Sequence, residues 1–390
     1  MESDVQPEWP PPAVPAARHR VLIGPVNSAG QGRAWAEATS RHCKGVAAQN
    51  MTFRRPGTAL NFPADYVVAN ETFRHDRKWS KRFQRHVTDS FTHVVIESNA
   101  SVFGAGGATS ARDVPVLRDA GVEVALLAHG SDVRIPSVHS AWEPWSPFPS
   151  LDSDYVAKLE KRSRAAAEYF ANFLGPVFVS TPALLRFVPN ARWLPVVIDI
   201  DHWRHEPSSF SHERPVVVHA PSNSALKGSD QLDPILEDLS GRGWIDYRRV
   251  QGVPPAQMPD VYRDADVMVD LVGTANYGAA ACEAMASGAV VVSHVSDFVR
   301  AQVERETGRR LPIVEATPAT LTSVIERLLA DRDSARGVAA DGLAFVGEVH
   351  DGRTSARVFG DELIGGRRRR SAGRPAPETR HFPRRARRGK

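Results

Sequence analysis

The sequence predicts an α/β protein of two parallel-sheet domains joined by a linker, and three observations carry that prediction. Short apolar runs alternate with segments of helical length along the chain. The runs lack the in/out alternation of half-exposed strands, which is how strands buried between two helical layers read. The pattern stops near Pro189 and restarts at Pro215, across a polar stretch rich in His, Ser and Pro. At 390 residues the chain has room for that arrangement, since domains run to roughly 100 to 200 residues each.

Taken in order, the first domain should hold strands at residues 20–24 (RVLIG), 46–49, 65–68, 92–97 (THVVIE), 122–128 (VEVALLA) and 177–180. The second repeats the pattern with strands at 215–219 (PVVVH), 246–250, 267–270 and 289–293 (AVVVS). Helical stretches near 229–240, 258–264, 277–287 and 318–331 lie between and after them. The expected boundaries are a disordered N-terminus over 1–19, a first domain over 20–203, a linker over 204–214, a second domain over 215–364 and a basic disordered tail over 365–390. Ligands of open parallel sheets bind at the carboxyl ends of strands, so the site is expected in the cleft between the domains.

Composition excludes several classes. Hydrophobic residues make up 42% and charged residues 24%, and neither Gly nor Pro recurs with a period, so collagen, coiled coil and wholesale disorder drop out. The two cysteines, Cys43 and Cys282, are too far apart in sequence for a disulfide framework or a clustered zinc site. No run of about 18 apolar residues and no signal peptide is present, so the expectation is a cytoplasmic, reduced protein. The net charge of +4 hides an asymmetry: residues 366–390 carry ten Arg and Lys390 against Glu378, a net +10, which leaves −6 for the rest.

Four loops could carry chemistry. The first strand runs into Gly24-Pro25-Val26-Asn27-Ser28-Ala29-Gly30-Gln31-Gly32 and then a helix, where glycines let amides approach a phosphate or simply make a tight turn. His129-Gly130-Ser131-Asp132 closes the strand VALLA; two polar side chains there either line the cleft or cap the strand. Lys227-Gly228 follows PVVVH and could hold a diphosphate by charge, or be a solvated loop lysine. Tyr277-Gly278 opens an Ala-rich helix in which Glu283, an acid amid small apolar residues, requires a partner such as a ligand hydroxyl.

In these residues the chain resembles the GT-B glycosyltransferases, specifically the group 1 (family four) retaining enzymes that use nucleotide sugars. The resemblance covers about 20–360 and is strongest in 214–350. Its motifs are Lys227-Gly228, Tyr262-Arg263-Asp264-Ala265-Asp266-Val267, and Gly278 with Glu283-Ala284-Met285-Ala286-Ser287-Gly288. It implies two Rossmann-like domains facing across a cleft, and transfer of a sugar from a nucleoside-diphosphate donor to a glycan or lipid-linked acceptor with retention, without metal or cofactor. The donor half is then expected from Gly30, Gly32, Lys227, Gly252, Val253, Tyr277, Gly278 and Glu283. His129 and Asp132, with Lys227, are the expected catalytic residues: Lys227 stabilises charge on the departing phosphate and His129 positions sugar or acceptor. Base contacts are expected from backbone near Gly252 and Val253.

One departure from the family is clear. Its glutamate pair is spaced Glu-x7-Glu; Glu283 matches the second, and Ala275 stands at the first. Sugar contacts then come from backbone at residues 276–278, or the donor sugar is unusual, or catalysis is lost. An epimerase or hydrolase on the same fold, or a catalytically weak nucleotide-sugar-binding subunit, are the alternatives. The tail reads either as a solubilising end or as a peripheral anchor to anionic lipid at the inner membrane face. It lacks the interleaved aromatics of a nucleic-acid-binding segment, Phe382 being its only ring besides His381.

Overall fold

The computed structural model describes residues 9–54, 57, 61–104, 106–204, 210 and 212–365. Seven parallel strands form the first sheet: β1 (His19–Gly24), β2 (Val46–Arg54), β3 (Tyr66–Ala69), β4 (His93–Glu97), β5 (Glu123–Ala128), β6 (Val177–Val179) and β7 (Arg192–Trp193). Their order across the sheet is β3-β2-β1-β4-β5-β6-β7. The second sheet has five, β8 (Val216–His219), β9 (Asp246–Arg249), β10 (Val267–Val269), β11 (Val290–Ser293) and β12 (Val314–Glu315), in the order β12-β11-β10-β8-β9. All pairings within both sheets are parallel.

Each expected strand is present, and two more appear that the sequence did not announce. β7 and β12 are two residues long and sit at sheet edges, too short to register as an apolar run. The centre of each sheet is buried throughout: β4, β8 and β11 are buried at every residue, with polar residues only at their ends, while the edge strand β9 reads Asp-Tyr-Arg-Arg and is half open to solvent. Helices cover the sheets by their apolar stripes. In the helix Arg77–Ser90, Asp76 caps the amides of Lys78 and Trp79, and Trp79, Phe83 and Val87 recur every four residues on the buried face.

The domain boundaries differ from expectation at the C-terminal end. After the helix Arg332–Val349 the chain crosses back: the Ile198 amide donates to the His350 carbonyl at 2.8 Å, and His350 Nδ1 lies 2.8 Å from the Val196 carbonyl. The helix Arg353–Phe359 then packs on the first domain's helix Gln31–His42, with the Phe359 ring edge-on to Phe178 at 5.0 Å. Residues 353–364 therefore complete the first domain rather than the second. Gly352 marks the crossing, because a Cβ there would stand 2.8 Å from Ala38 Cβ and its φ is +94°.

Of the expected disordered N-terminus, residues 1–8 lie outside the described residues. Residues 9–18 form no helix or strand, yet Trp9 and Val14 pack on the core and the Arg82 guanidinium lies 4.2 Å over the Trp9 ring. Residues 205–209 and 211 of the linker, and residues 366–390 of the tail, also lie outside. The rest of the linker is docked: Phe210 is buried with its amide on the Asp266 carboxylate, and Arg332 donates to the carbonyls of His212 and Glu213 at 2.8 Å each. No helix among the described residues is long and apolar enough to cross a membrane.

The domains touch along the carboxyl ends of both sheets. Glu143, after the helix Pro136–Trp142, reaches His294 Nε2 beyond β11 at 3.1 Å. The Arg186 guanidinium covers the Phe298 ring at 4.4 Å. Pro147 packs beside Gly273, where a Cβ would lie 3.4 Å from it.

Candidate functional site

The first half of the site is built on β1, β4 and β5. Beyond β1 the chain turns through left-handed φ at Asn27 (+50°), Ala29 (+51°) and Gly30 (+73°). Glu97, the last residue of β4, is fully buried, and its Oε2 accepts from the amides of Val26 and Asn27 at 2.9 Å each. Its Oε1 lies 2.8 Å from His129 Nε2, just past β5. One carboxylate thus joins the first loop to the His129 loop.

The His129 ring stacks on Trp35, centroids 5.8 Å apart at 18°. Burial pulls the imidazole pKa down, but the Glu97 hydrogen bond and the charges of Glu97 and Asp132 outweigh it, and the net displacement is upward from 6.5. Asp132 stands in the same loop as His129. Its carboxylate accepts from the amides of His129 (2.9 Å), Gly130 (2.6 Å) and Val133 (3.1 Å), so it shapes the loop that presents His129.

The glycines of the first loop also resolve into packing roles. A Cβ on Gly32 would stand 2.6 Å from Asn50 Nδ2, and one on Gly30 3.0 Å from Phe62. Next to Gly30 a cavity of about 230 Å³ opens between Asn27, Ala29, Phe53, Arg54, Asn61 and Phe62. No local pattern announces it, because its walls come from four separated stretches.

The second half lies beyond β8 and β10. Lys227, closing the short helix Ser224–Lys227, forms an ion pair with Asp270 at the end of β10. Asp270 is buried, and its Oδ2 has no hydrogen-bond partner among the described residues. Glu283, in the helix Ala279–Ala286, is half-buried close enough to feel both charges. Burial pushes its pKa up to about 7, Lys227 pulling down and Asp270 up. Asp270 pairs with the cation, Glu283 stands within range of its charge, and Asp270 Oδ2 is left over. Asp270 was read only as a strand end; the signal was a charge terminating an otherwise apolar run.

Gly278 starts that helix with open space where a Cβ would be. Asn276 is buried with its Oδ1 unpartnered, and Ala275 is buried at φ +48°. Tyr277, expected at the nucleotide, is instead core: it is 2% exposed, and its hydroxyl lies 3.4 Å from His350 Nε2. Gly252 (φ +69°) and Val253 turn beyond the edge strand β9, with Gly252 exposed. No group of three His, Cys, Asp or Glu able to hold a metal ion occurs among the described residues.

The structure therefore brings Lys227, Asp270 and Glu283 together, and Glu97, His129 and the first loop together. Both groups stand at strand carboxyl ends on the side where the domains meet, while Gly32 and Tyr277 serve the core.

No family model matches the sequence, and no curated protein matches it. The fold has clear likenesses among solved structures. Sucrose-phosphate synthase from Thermosynechococcus elongatus superposes with a TM-score of 0.59 at 15% identity, over 91% of this chain and 100% of that one. The Anabaena protein HepE, solved with UDP and glucose, gives 0.57 at 13% identity over 89% and 99%. WaaG, a glycosyltransferase involved in lipopolysaccharide biosynthesis, gives 0.51 at 11% over 88% and 99%. These likenesses establish the GT-B fold of two parallel-sheet α/β domains.

Proposed function

We propose that the protein transfers a sugar from a nucleoside-diphosphate sugar to a glycan or lipid-linked acceptor. The observation that carries this reading is the Lys227, Asp270 and Glu283 cluster at the second sheet's carboxyl end. A half-buried lysine already paired with a buried acid can exchange that carboxylate for a phosphate oxygen at little desolvation cost, because the site already holds its charge. Glu283, ionised, accepts from ribose hydroxyls. The open helix start at Gly278 supplies amides for the diphosphate or the sugar.

In this reading the donor lies on the second domain and the acceptor enters the cavity beside Gly30 and Phe62. Departure of the nucleoside diphosphate builds negative charge on its β-phosphate, which Lys227 and the Gly278 helix start stabilise. His129, held by Glu97 and Trp35, positions the reacting sugar. No carboxylate side chain stands at position 275, so retention proceeds by same-face attack with the leaving phosphate as proton acceptor.

A binding role without turnover is the second reading, and Ala275 favours it, since a buried alanine supplies no polar side chain to a sugar. Incubation with UDP, GDP and ADP sugars and a set of glycan and lipid-linked acceptors separates the two. Glycosyl product supports transfer; binding with no product overturns it. The tail, with its eleven cations, supports salt-sensitive recruitment to anionic lipid at about 1 kcal/mol per charge before screening. Equal pelleting of the full chain and a form ending at Gly365 with anionic vesicles refutes that part.

A further inference from the structure

We propose that Glu97 is the positioning residue of this site: its carboxylate orients the His129 ring and holds the first loop, so that ring and loop are presented to the donor as one unit. The inference deepens the transferase reading and rests on it for its catalytic consequence. Nothing in the sequence marks Glu97 beyond its place at the end of an apolar strand.

Both carboxylate oxygens are committed, Oε2 to two loop amides and Oε1 to the imidazole. A carboxylate only accepts, so His129 Nε2 carries the hydrogen in that contact. Nδ1 is left as the nitrogen that changes with protonation: the imidazolium offers a donor there, the neutral ring a lone pair. The charged groups facing the ring are Glu97 from β4 and Asp132 from its own loop; the helix Gln31–His42 contributes the uncharged Trp35 face, and Ser180 beyond β6 reaches the His129 carbonyl at 3.4 Å. Both acids favour the imidazolium against burial. Glu97 therefore favours the imidazolium form of His129, whose Nδ1–H donates to a ligand oxygen. Its other oxygen sets the Val26–Asn27 turn that walls the adjoining cavity.

Glu97→Gln separates these tasks, because the amide oxygen can still accept from both loop amides while its NH2 donates to Nε2 of the neutral ring, which keeps the loop and disfavours the imidazolium. The variant should bind the donor nucleotide as wild type does, since Lys227 and Glu283 are untouched. Its kcat should lose the alkaline limb at lower pH than wild type does, so the ratio of variant to wild-type kcat falls as pH rises through that limb. NMR titration of the His129 ring gives a second readout: above 6.5 in wild type and below it in Glu97→Gln. An unchanged pH profile in a folded variant, or a wild-type ring titrating at or below 6.5, overturns the proposal. If the variant does not fold, the wild-type titration decides. Absence of transfer by wild type with every donor and acceptor would sink the transferase reading, while the ring titration would still decide the coupling of Glu97 to His129.

Discussion

Removing the interdomain carboxylate by Glu143→Gln should destabilise the protein at neutral pH and leave it almost unaffected above pH 10. His294 stands between Glu143 of the first domain (3.1 Å) and Glu315 of the second (2.5 Å), and Arg300 balances Glu315 at 2.9 Å. Burial lowers the His294 pKa, but the two carboxylates outweigh it and raise it from 6.5 to about 9. At 1.36 kcal/mol per pH unit that displacement is worth ~3 kcal/mol to the folded state. The side chain of Glu143 is 6% exposed and that of Glu315 45%, so Glu315 is the more screened partner and Glu143 supplies roughly 1–2 kcal/mol. A folded-state pKa above the unfolded one gives stability that is complete below pH 6.5 and is lost as pH rises through about 9. Urea unfolding of wild type and Glu143→Gln at pH 6, 7.5, 9 and 10 reads this directly. The difference should be largest at pH 6 and close toward pH 10; a difference independent of pH would show that the contact is not an ion pair holding the domains together.

Lys227→Ala should weaken donor nucleotide binding by about ten- to a hundredfold, the loss of a charge-assisted contact of ~1.5–3 kcal/mol, and should also destabilise the fold by stranding Asp270. Adding Asp270→Asn should recover the stability but not the affinity, as melting curves and calorimetry would separate. Ribose hydroxyls favour ionised Glu283, so donor binding near pH 7 should release part of a proton and tighten as pH rises through about 7; titration calorimetry in buffers of different ionisation enthalpy measures this. Gly32→Ala should cost ~1–3 kcal/mol, since the added methyl meets Asn50 Nδ2 at 2.6 Å, and an unchanged melting temperature would contradict the packing assigned to it.

The strands were legible because parallel-sheet strands are apolar on both faces, which leaves an unmistakable run. β7 and β12 escaped because two residues make no run at all. Gly278 starts a helix, Lys227 ends the short helix beyond β8 and Glu283 lies within the helix that Gly278 opens, yet Asp270, the ion-pair partner of Lys227, did not emerge, since pairing across sequence is invisible to local pattern. Glu97, Glu143 and His294 were missed for the same reason: each owes its meaning to a contact more than thirty residues away. Tyr277 was misread because neighbouring a glycine says where the backbone goes and not which way a side chain turns. The return of residues 353–364 escaped because only the three residues His350-Asp351-Gly352 separate that helix from the one before it, too short a break to stand out beside the long polar stretch after Arg204.

That return makes the second domain an insertion within the first. During synthesis the second domain is complete while the first still lacks the segment that covers Phe178 and the outer face of the helix Gln31–His42. Domains ordinarily mature from the N-terminus onward as the ribosome delivers them. Here the first-made domain finishes last, so a chain cut short anywhere before Phe359 leaves an apolar seam open on the part of the molecule that was translated first.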